Sequence, residues 1–310
     1  VGTSPTFSVV VTNYNYRQFI AEAVDGALAQ TLAPLEVIVV DDGSTDGSPD
    51  YLRERYGSDS RVKLVCGKNG GQLAAFQRGL AAVCGDIVCF LDADDRWGAD
   101  YLRQVEEVFN LRTDVDFVFS DVRLVGNESG MHGYAGEATD LGYTVLGTWV
   151  RARWYGAPTS ALALRRGLAE RVLDLPAEFV TNWRISADNC LVFGASILGA
   201  RKYYLPTGNV DYRIHGRNGW WYEQARMREF AARFRTRSLI NFYADRVHLD
   251  MLALDLAKTE FKSREKPSWS EACMYADIAL RGTAPWWKRA ERALAILRHG
   301  LNKRSKSRAG

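Results

Sequence analysis

The stretch Ile87-Val88-Cys89-Phe90-Leu91-Asp92-Ala93-Asp94-Asp95 decides how the chain is read. Its first five residues form a continuous apolar run, the pattern of a strand covered on both faces. The run ends in three near-adjacent carboxylates. Mutual repulsion makes such a cluster costly unless a cation or a row of donors neutralises it. Hard divalent cations such as Mg²⁺ or Mn²⁺ take oxygen ligands and keep positions open for phosphate oxygens. The strand tip therefore reads as a place where a metal holds a phosphorylated substrate. The plain alternative is a loop of solvated acids.

Around this strand, strand and helix patterns alternate. Phe7 to Val11 is a short valine-rich strand, and Phe19, Ile20, Ala23, Val24, Ala27 and Leu28 then recur at helical spacing. Leu35 to Val40 is a second apolar strand. Ser48-Pro49 reads as an N-cap with proline at the first helical position, opening a short helix to Tyr56. A strand at Val62 to Val65, a helix at Leu73 to Val83, a helix at Tyr101 to Leu111 and a strand at Val115 to Phe119 complete the series. Repeated strand–helix–strand units predict an α/β fold with a mainly parallel sheet flanked by helices. Ligands of such sheets bind beyond the carboxyl ends of the strands. There the polar residues gather: Thr12-Asn13-Tyr14-Asn15, Asp41-Asp42-Gly43-Ser44, and Asp92 to Asp95. From Gly126 to Gly147 glycines are frequent and periodicity fades, which predicts an irregular segment. From Trp221 onward helical patterns return, with Arg228, Arg233, Arg235 and Arg237 expected on solvated faces.

Composition narrows the classes. The 310 residues allow one large or two smaller domains. No run of eighteen apolar residues appears, so no membrane-spanning helix is expected, and no secretory signal is visible. Cys66, Cys84, Cys89, Cys190 and Cys273 are odd in number, scattered and without a CxxC pair. That argues against a disulfide framework or a zinc site, and for reduced thiols in the cytoplasm. Between Arg281 and Gly310 there are nine Lys or Arg and one acid, Glu291. Such a basic end suits an anionic surface. No motif supports nucleic-acid binding.

Val9-Val10-Val11-Thr12-Asn13-Tyr14-Asn15, Val39-Val40-Asp41-Asp42-Gly43-Ser44-Thr45-Asp46, Asn69-Gly70-Gly71 and Phe90-Leu91-Asp92-Ala93-Asp94-Asp95 occur in the order seen in family 2 glycosyltransferases of the GT-A fold. The chain resembles that family over residues 6–120, more weakly to about residue 220, and not beyond. The resemblance implies a GT-A nucleotide-sugar transferase domain over residues 1–220, with a donor-binding half (1–120) and an acceptor-side half (121–220). Residues 221–310 would be a helical extension with a basic tail. It also implies sugar transfer from a nucleotide diphosphate with inversion at the anomeric carbon. UDP and dTDP are the favoured nucleotides. The acceptor would be a saccharide or a lipid-linked saccharide.

By resemblance, Thr12 and Asp42 contact the nucleoside, with Asn13, Tyr14, Asn15 and Asp41 at the same strand ends. Turn formation or helix capping is the plain alternative for Asp41 and Asp42. Gly70 and Gly71 border the donor, where glycine lets backbone approach an anion at a helix start. Asp92 leans toward the ribose or sugar, with Ala93 beside it. Asp94 ligates a Mn²⁺ or Mg²⁺ ion that bridges the diphosphate. Asp95 is a second ligand or a sugar contact. Asp188 is the candidate general base, ahead of the apolar Leu191-Val192-Phe193. The family often has a Glu-Asp pair here, and this chain has Ala187 in place of the Glu. A helix-capping acid is the alternative reading of Asp188. His215 resembles a position that completes the metal shell or touches the diphosphate, a structural hydrogen-bonder being the alternative, while Arg213 and Arg217 could neutralise phosphate. Trp220-Trp221 could stack on a sugar.

Two other functions compete. A nucleotidyltransferase would need a glycine-rich basic loop after the first strand, and Thr12 to Arg17 contains no glycine. A non-catalytic nucleotide-sugar-binding scaffold is opposed by the intact acid cluster and kept open by Ala187. Near the end, Pro285-Trp286-Trp287-Lys288-Arg289 begins a run in which Ala290, Leu294, Leu297 and Leu301 share a helical face, with Arg292, Arg298, Lys303 and Arg304 adding charge. This pattern suits peripheral contact with the inner face of the cell membrane. Packing of the helix on the domain is the alternative.

Overall fold

The computed structural model describes residues 4–216 and 229–307, with side chains of the last helix as far as Leu301. Arg217, Trp220, Trp221 and Arg228 lie outside the described residues.

Four parallel strands form one half of an eight-stranded sheet. They are β1 (Phe7–Asn13), β2 (Glu36–Asp41), β3 (Val62–Cys66) and β4 (Ile87–Asp92), in the order β3-β2-β1-β4. All of β1 and β2 is buried, as their unbroken apolar runs require. Helices α1 (Ile20–Leu28), α2 (Ser48–Tyr56) and α3 (Gln72–Leu80) are the crossovers. Ile20, Ala23, Val24 and Ala27 form the buried face of α1, at the expected spacing. In α2 the cap is Gly47 at φ +83°, and Ser48 is the first helical residue rather than the cap. Asp46 accounts for the shift, because its Oδ1 accepts from the Ser48 backbone N–H at 3.0 Å and supplies the cap itself.

The other half of the sheet is mixed. Beyond β4 come β10 (Leu162–Arg165), β6 (Phe117–Ser120), β11 (Lys202–Leu205) and β9 (Thr139–Gly142). Strand β6 therefore does not adjoin β4 as a simple alternating series would have it. The antiparallel β10 separates them. A second sheet, β5-β12-β7-β8, is built from Arg96–Trp97, Val210–Ile214, Val122–Gly126 and Gly130–His132.

The segment expected to be irregular is irregular in part and otherwise holds β8, β9 and the start of α5 (Val145–Arg151). Its order comes from distant partners. The Glu260 carboxylate accepts from the Leu146 N–H at 3.0 Å and the Gly147 N–H at 3.3 Å, capping α5. Such short pieces carry no readable period.

Helices α4 (Tyr101–Leu111), α6 (Arg166–Leu173) and α7 (Ala177–Asn182) precede α8 (Asp188–Ile197) along the chain, and Cys190 to Ile197 of α8 are all buried. Helix α9 (Glu229–Arg246) packs on α8 through Leu239, Ile240 and Tyr243. Two of its arginines are not on a solvated face. Arg235 lies over the Trp183 ring at 4.2 Å, and Arg237 donates to the Trp149 carbonyl. Arg233 is solvated, as expected. Helices α10 (Ala257–Lys262), α11 (Trp269–Leu280) and α12 (Trp286–Ser307) form a second small core with Leu146, including Phe261, Tyr275, Ile278 and Ile296. The buried face of α12 is Ala293, Ile296 and Gly300; of the apolar stripe Ala290, Leu294, Leu297 and Leu301, Leu297 packs partly against this core and Leu294 and Leu301 are exposed.

Candidate active site

The carboxyl ends of β1, β2 and β4 open into one cleft of about 1350 Å³. Thr12, Asn13, Tyr14, Asp42, Gly71, Asp92, Ala93, Asp94 and Asp188 all line it. Parallel pairing puts Thr12 beside Asp92 and Asn13 beside Asp41, so the strand register itself gathers these groups.

Each acid has a distinct setting. Asp92 accepts from the Thr12 hydroxyl and from the Gln72 amide, both at 3.0 Å. Burial, then the charge of Asp94, pushes its carboxyl up to about 7 against those donors, and Asp188 adds to the rise. Asp94 meets His215 Nε2 at 2.9 Å, and that ring is flanked by Tyr16 and Phe19. Asp95 points away from the cleft. Its carboxylate accepts from Ser160 Oγ at 2.5 Å and from the Arg213 N–H at 2.8 Å. Burial, then Asp94 and Asp92, hold its carboxyl well above the usual range. Asp95 and Arg213 thus clamp the strand tip from beneath. The Arg213 guanidinium donates to the Asp94 carbonyl and to Glu22, and lies over the Phe19 ring.

Asp41 and Asn15 build the turn beside the cleft instead of its wall. Asp41 accepts from Asn13 Nδ2 at 2.7 Å and from the Ser44 N–H at 2.9 Å. Asn15, at φ +59°, exchanges hydrogen bonds with Ser44 and Thr45. Asp42 lines the cleft and also pins the glycine turn: it accepts from the Gly70 N–H at 2.9 Å, the Gly71 N–H at 2.7 Å and the Arg78 guanidinium. Gly71 is required twice over. Its φ is +88°, and a Cβ there would lie 2.6 Å from the Arg184 Cα.

Asp188 opens α8 and is half-buried in the cleft wall. Burial pushes its carboxyl up to about 6, while its own Oδ1 accepts from the Asn189 N–H at 2.9 Å. The loop before it is held at a price: Ser186 sits at φ +60°, an unfavourable conformation for a residue with a Cβ. Gln72 supports this loop. Its Oε1 accepts from the Ala187 N–H at 2.9 Å while its Nε2 donates to Asp92 and, at 3.2 Å, to Thr159. One side chain therefore joins the strand-tip acids to the start of α8.

Sequence reasoning missed Gln72, Ser160 and Trp154. Gln72 follows Gly70-Gly71 directly, so its place at a helix start was a usable signal. Ser160 and Trp154 lie in a stretch without period. The lining also includes Leu124, Glu128, His132, Tyr134, Trp154 and Tyr212, and burial with the charges of Asp95, Asp92, Asp94 and Asp188 raises the Tyr212 hydroxyl. Tyr134 is fixed from outside: its hydroxyl donates to Glu271 at 3.0 Å and accepts from Arg264 at 3.1 Å. Among the described residues no three His, Cys, Asp or Glu side chains form a complete metal cage, and Asp94 with His215 supplies two candidate ligands.

Residues 8–171, over half of the chain, fit the description "Glycosyl transferase family 2". The uncharacterized glycosyltransferase alr2836 of Nostoc sp. is 36% identical over 68% of this chain and 65% of its own length. Chondroitin synthase of Pasteurella multocida is 35% identical over 29% of this chain and 9% of that protein, so the match spans less than two thirds of either relative. Residues 1–349 of Staphylococcus aureus TarS in complex with UDP superpose with a TM-score of 0.56 at 17% identity, covering 97% of this chain and 92% of that one. The fold is thus of the GT-A kind. By its matched residues and its sheet, the chain belongs to glycosyl transferase family 2.

Proposed function

We propose that the protein transfers a sugar, with inversion, from a nucleotide-diphospho-sugar donor to a hydroxyl of a saccharide or lipid-linked saccharide acceptor. The observation that carries this reading is the position of Asp188 on the same cleft wall as Asp92 and Asp94. A base displaced toward neutrality is matched to deprotonating a hydroxyl. In the proposed step, Asp188 takes the acceptor proton as the acceptor oxygen bonds to the anomeric carbon. The bond from that carbon to the diphosphate breaks on the opposite face, and the nucleoside diphosphate departs with the electron pair.

The donor lies along Thr12, Asn13, Tyr14 and Asp42, with Gly71 at the wall and Asp92 toward the sugar. UDP or dTDP is the nucleotide we favour; the TarS fragment of the same fold has been solved with UDP and with UDP-GlcNAc. Carboxylate oxygen and imidazole nitrogen on an acid-rich cleft fit a hard divalent ion, so Asp94 and His215 would hold Mn²⁺ or Mg²⁺. Bound there, the ion supplies Lewis-acid neutralisation of the departing diphosphate. Asp95, Arg213 and Ser160 hold the strand tip that carries these groups. The wall of Trp154, Tyr134 and Tyr212 offers aromatic faces to an acceptor sugar.

We retain residues 1–220 as the transferase domain and 221–310 as its helical extension, with Arg264 and Glu271 of the extension fixing Tyr134. Five unpaired cysteines support a cytoplasmic site of action.

The test is a melting-temperature panel of UDP, dTDP and GDP with and without Mn²⁺, followed by donor turnover. A nucleoside diphosphate that binds the folded state raises Tm. Loss of turnover in Asp94→Ala and in Asp188→Asn, with folding intact, is expected. Full turnover in Asp188→Asn removes it as the base, and no Tm response to any nucleotide removes the reading.

A further inference from the structure

The outer face of α12 has no partner among the described residues. Its inner face is closed against α11, where a Cβ on Gly300 would meet the Ala272 Cβ at 2.8 Å. Trp287, Leu294 and Leu301 follow at seven-residue intervals and remain 58%, 54% and 51% exposed, and Trp286 beside them is 70% exposed. Seven residues are nearly two helical turns, so the three form one stripe. The 3-10 segment Met251–Leu256 is pinned beside the start of this helix. Asp255 accepts from Thr283 at 3.1 Å and from Arg292 at 2.6 Å. Met251, Leu252 and Leu256 on it, and Leu280 at the end of α11, are also exposed. Isolated exposed apolar residues need no explanation, but several gathered at one helix do.

We infer that this face docks on an anionic lipid surface, with the stripe in the headgroup boundary and the helix lying in its plane. Charge selects that occupant. Lys288 and Arg298 are exposed beside the stripe, and Lys303, Arg304, Lys306 and Arg308 follow in sequence. The single acid of α12, Glu291, lies 3.7 Å from Lys258, and Asp255 of the adjoining segment is paired with Arg292. A second copy of the chain would bring two cationic faces together. Anionic headgroups complement them. Tryptophan suits the boundary because its ring is apolar and its N–H is polar. No described helix is long and apolar enough to cross a bilayer, which leaves in-plane seating. The surface is separate from the donor cleft, so it stands or falls independently of the proposed reaction.

The experiment is co-sedimentation of the full chain with phosphatidylcholine vesicles, with and without phosphatidylglycerol. It is run in parallel with sedimentation velocity without lipid. The expected result is binding to the anionic vesicles only, weakened by salt. The double variant Trp286→Ser/Trp287→Ser, with an unchanged melting temperature and unchanged donor turnover, should bind at least about tenfold more weakly, given the apolar area removed. Leu294→Ser is the second variant and should weaken binding in the same sense. The inference is overturned by equal binding to both vesicle types, by unaltered binding in both variants, or by a concentration-dependent dimer that Leu294→Ser abolishes.

Discussion

Replacing Asp188 with Asn separates what the residue does in the reaction from what it does to the fold. Burial holds its carboxyl at about 6 in the folded protein, against 3.8 for an ordinary aspartate. A displacement of about two pH units corresponds to roughly 3 kcal/mol between the charged and neutral forms. The sign is fixed by the direction. Below pH 4 the carboxyl is neutral in both folded and unfolded chains, and its contribution is at its most favourable. Between about 4 and 6 the unfolded chain loses its proton first, so stability falls as pH rises. Above 6 the penalty is complete. An amide carries no charge to desolvate, and its Oδ1 can still accept from the Asn189 N–H that lies 2.9 Å away. The Asn variant should therefore match the wild type near pH 4 and exceed its stability at pH 8. The gain has a ceiling of about 3 kcal/mol, reduced by the water that reaches a half-buried side chain. Urea unfolding of both proteins without ligand, at the two pH values, reads this difference directly. Donor-to-acceptor transfer should meanwhile drop about 10²- to 10⁴-fold, the range expected for a lost general base. A variant that is equally altered in stability at both pH values would falsify the desolvation argument. One that still transfers at the wild-type rate would dismiss Asp188 as the base.

Transfer by the wild type should rise with pH through about 6 and keep rising slightly to about 7 as Asp188 and then Asp92 ionise, which a kcat/KM profile checks. Gln72→Leu strands the Ala187 N–H and removes a donor from Asp92, so kcat should fall about tenfold with the acid limb displaced upward; an unchanged limb would make Gln72 merely structural. Asp94→Ala should abolish the Mn²⁺-dependent part of nucleotide-induced stabilisation while leaving the metal-free Tm shift, read in the same thermal panel. Glu271→Gln removes the Glu271 charge that faces the buried Arg264 and loosens Tyr134; a loss of about 3 kcal/mol in urea unfolding is expected.

The first half of the fold was legible because its central strands are largely apolar runs and its crossovers carry a helical period or, in α2, a Ser-Pro start. Ile87 to Leu91 and Leu35 to Val40 announce themselves, and the acids after them follow from where parallel strands end. The second half was not legible because its strands are short and their partners remote. Strand β10 is four residues long, yet it inserts between β4 and β6 and so sets the order of the whole sheet. Nothing local in Leu162-Ala163-Leu164-Arg165 distinguishes a strand from a turn of helix. The same holds for Gly126 to Gly147, whose order depends on Glu260 more than a hundred residues later. For α12 the apolar pattern was visible but ambiguous: Ala293 and Ile296 on one side compete with Leu294 and Leu301 on the other, and only packing against α11 decides between them.

Within the site, the sequence located the acids and the structure divides their labour. Neighbouring acids add to the burial that raises Asp92 and Asp95, whereas burial raises Asp188, and the four aspartates of the site do not stand in equivalent places. Asp95 spends its oxygens on Ser160 and Arg213, Asp94 meets His215, and Asp92 meets Thr12 and Gln72. Among the described residues Asp188 accepts from Asn189, through its backbone N–H at 2.9 Å and its side-chain amide at 3.3 Å. At Asp188 the rise in proton affinity comes from burial without a neighbouring acid, whereas Asp92 and Asp95 are raised by both, and a raised proton affinity is the property the proposed base would need. Ala187 contributes to this difference. A glutamate there would bring another charge beside Asp188, whereas Ala187 is fully buried and brings none, its N–H being taken by Gln72 and its carbonyl by the Cys190 N–H. The departure from the family pattern thus leaves Asp188 as the sole carboxylate at the start of α8. Restoring the pair with Ala187→Glu should place a carboxylate in an apolar site, lower stability by a few kcal/mol and raise the acid limb of transfer rather than speed it. Faster transfer in that variant, with the limb unmoved, would mean that a second acid at this turn helps the reaction and that Asp188 does not work alone.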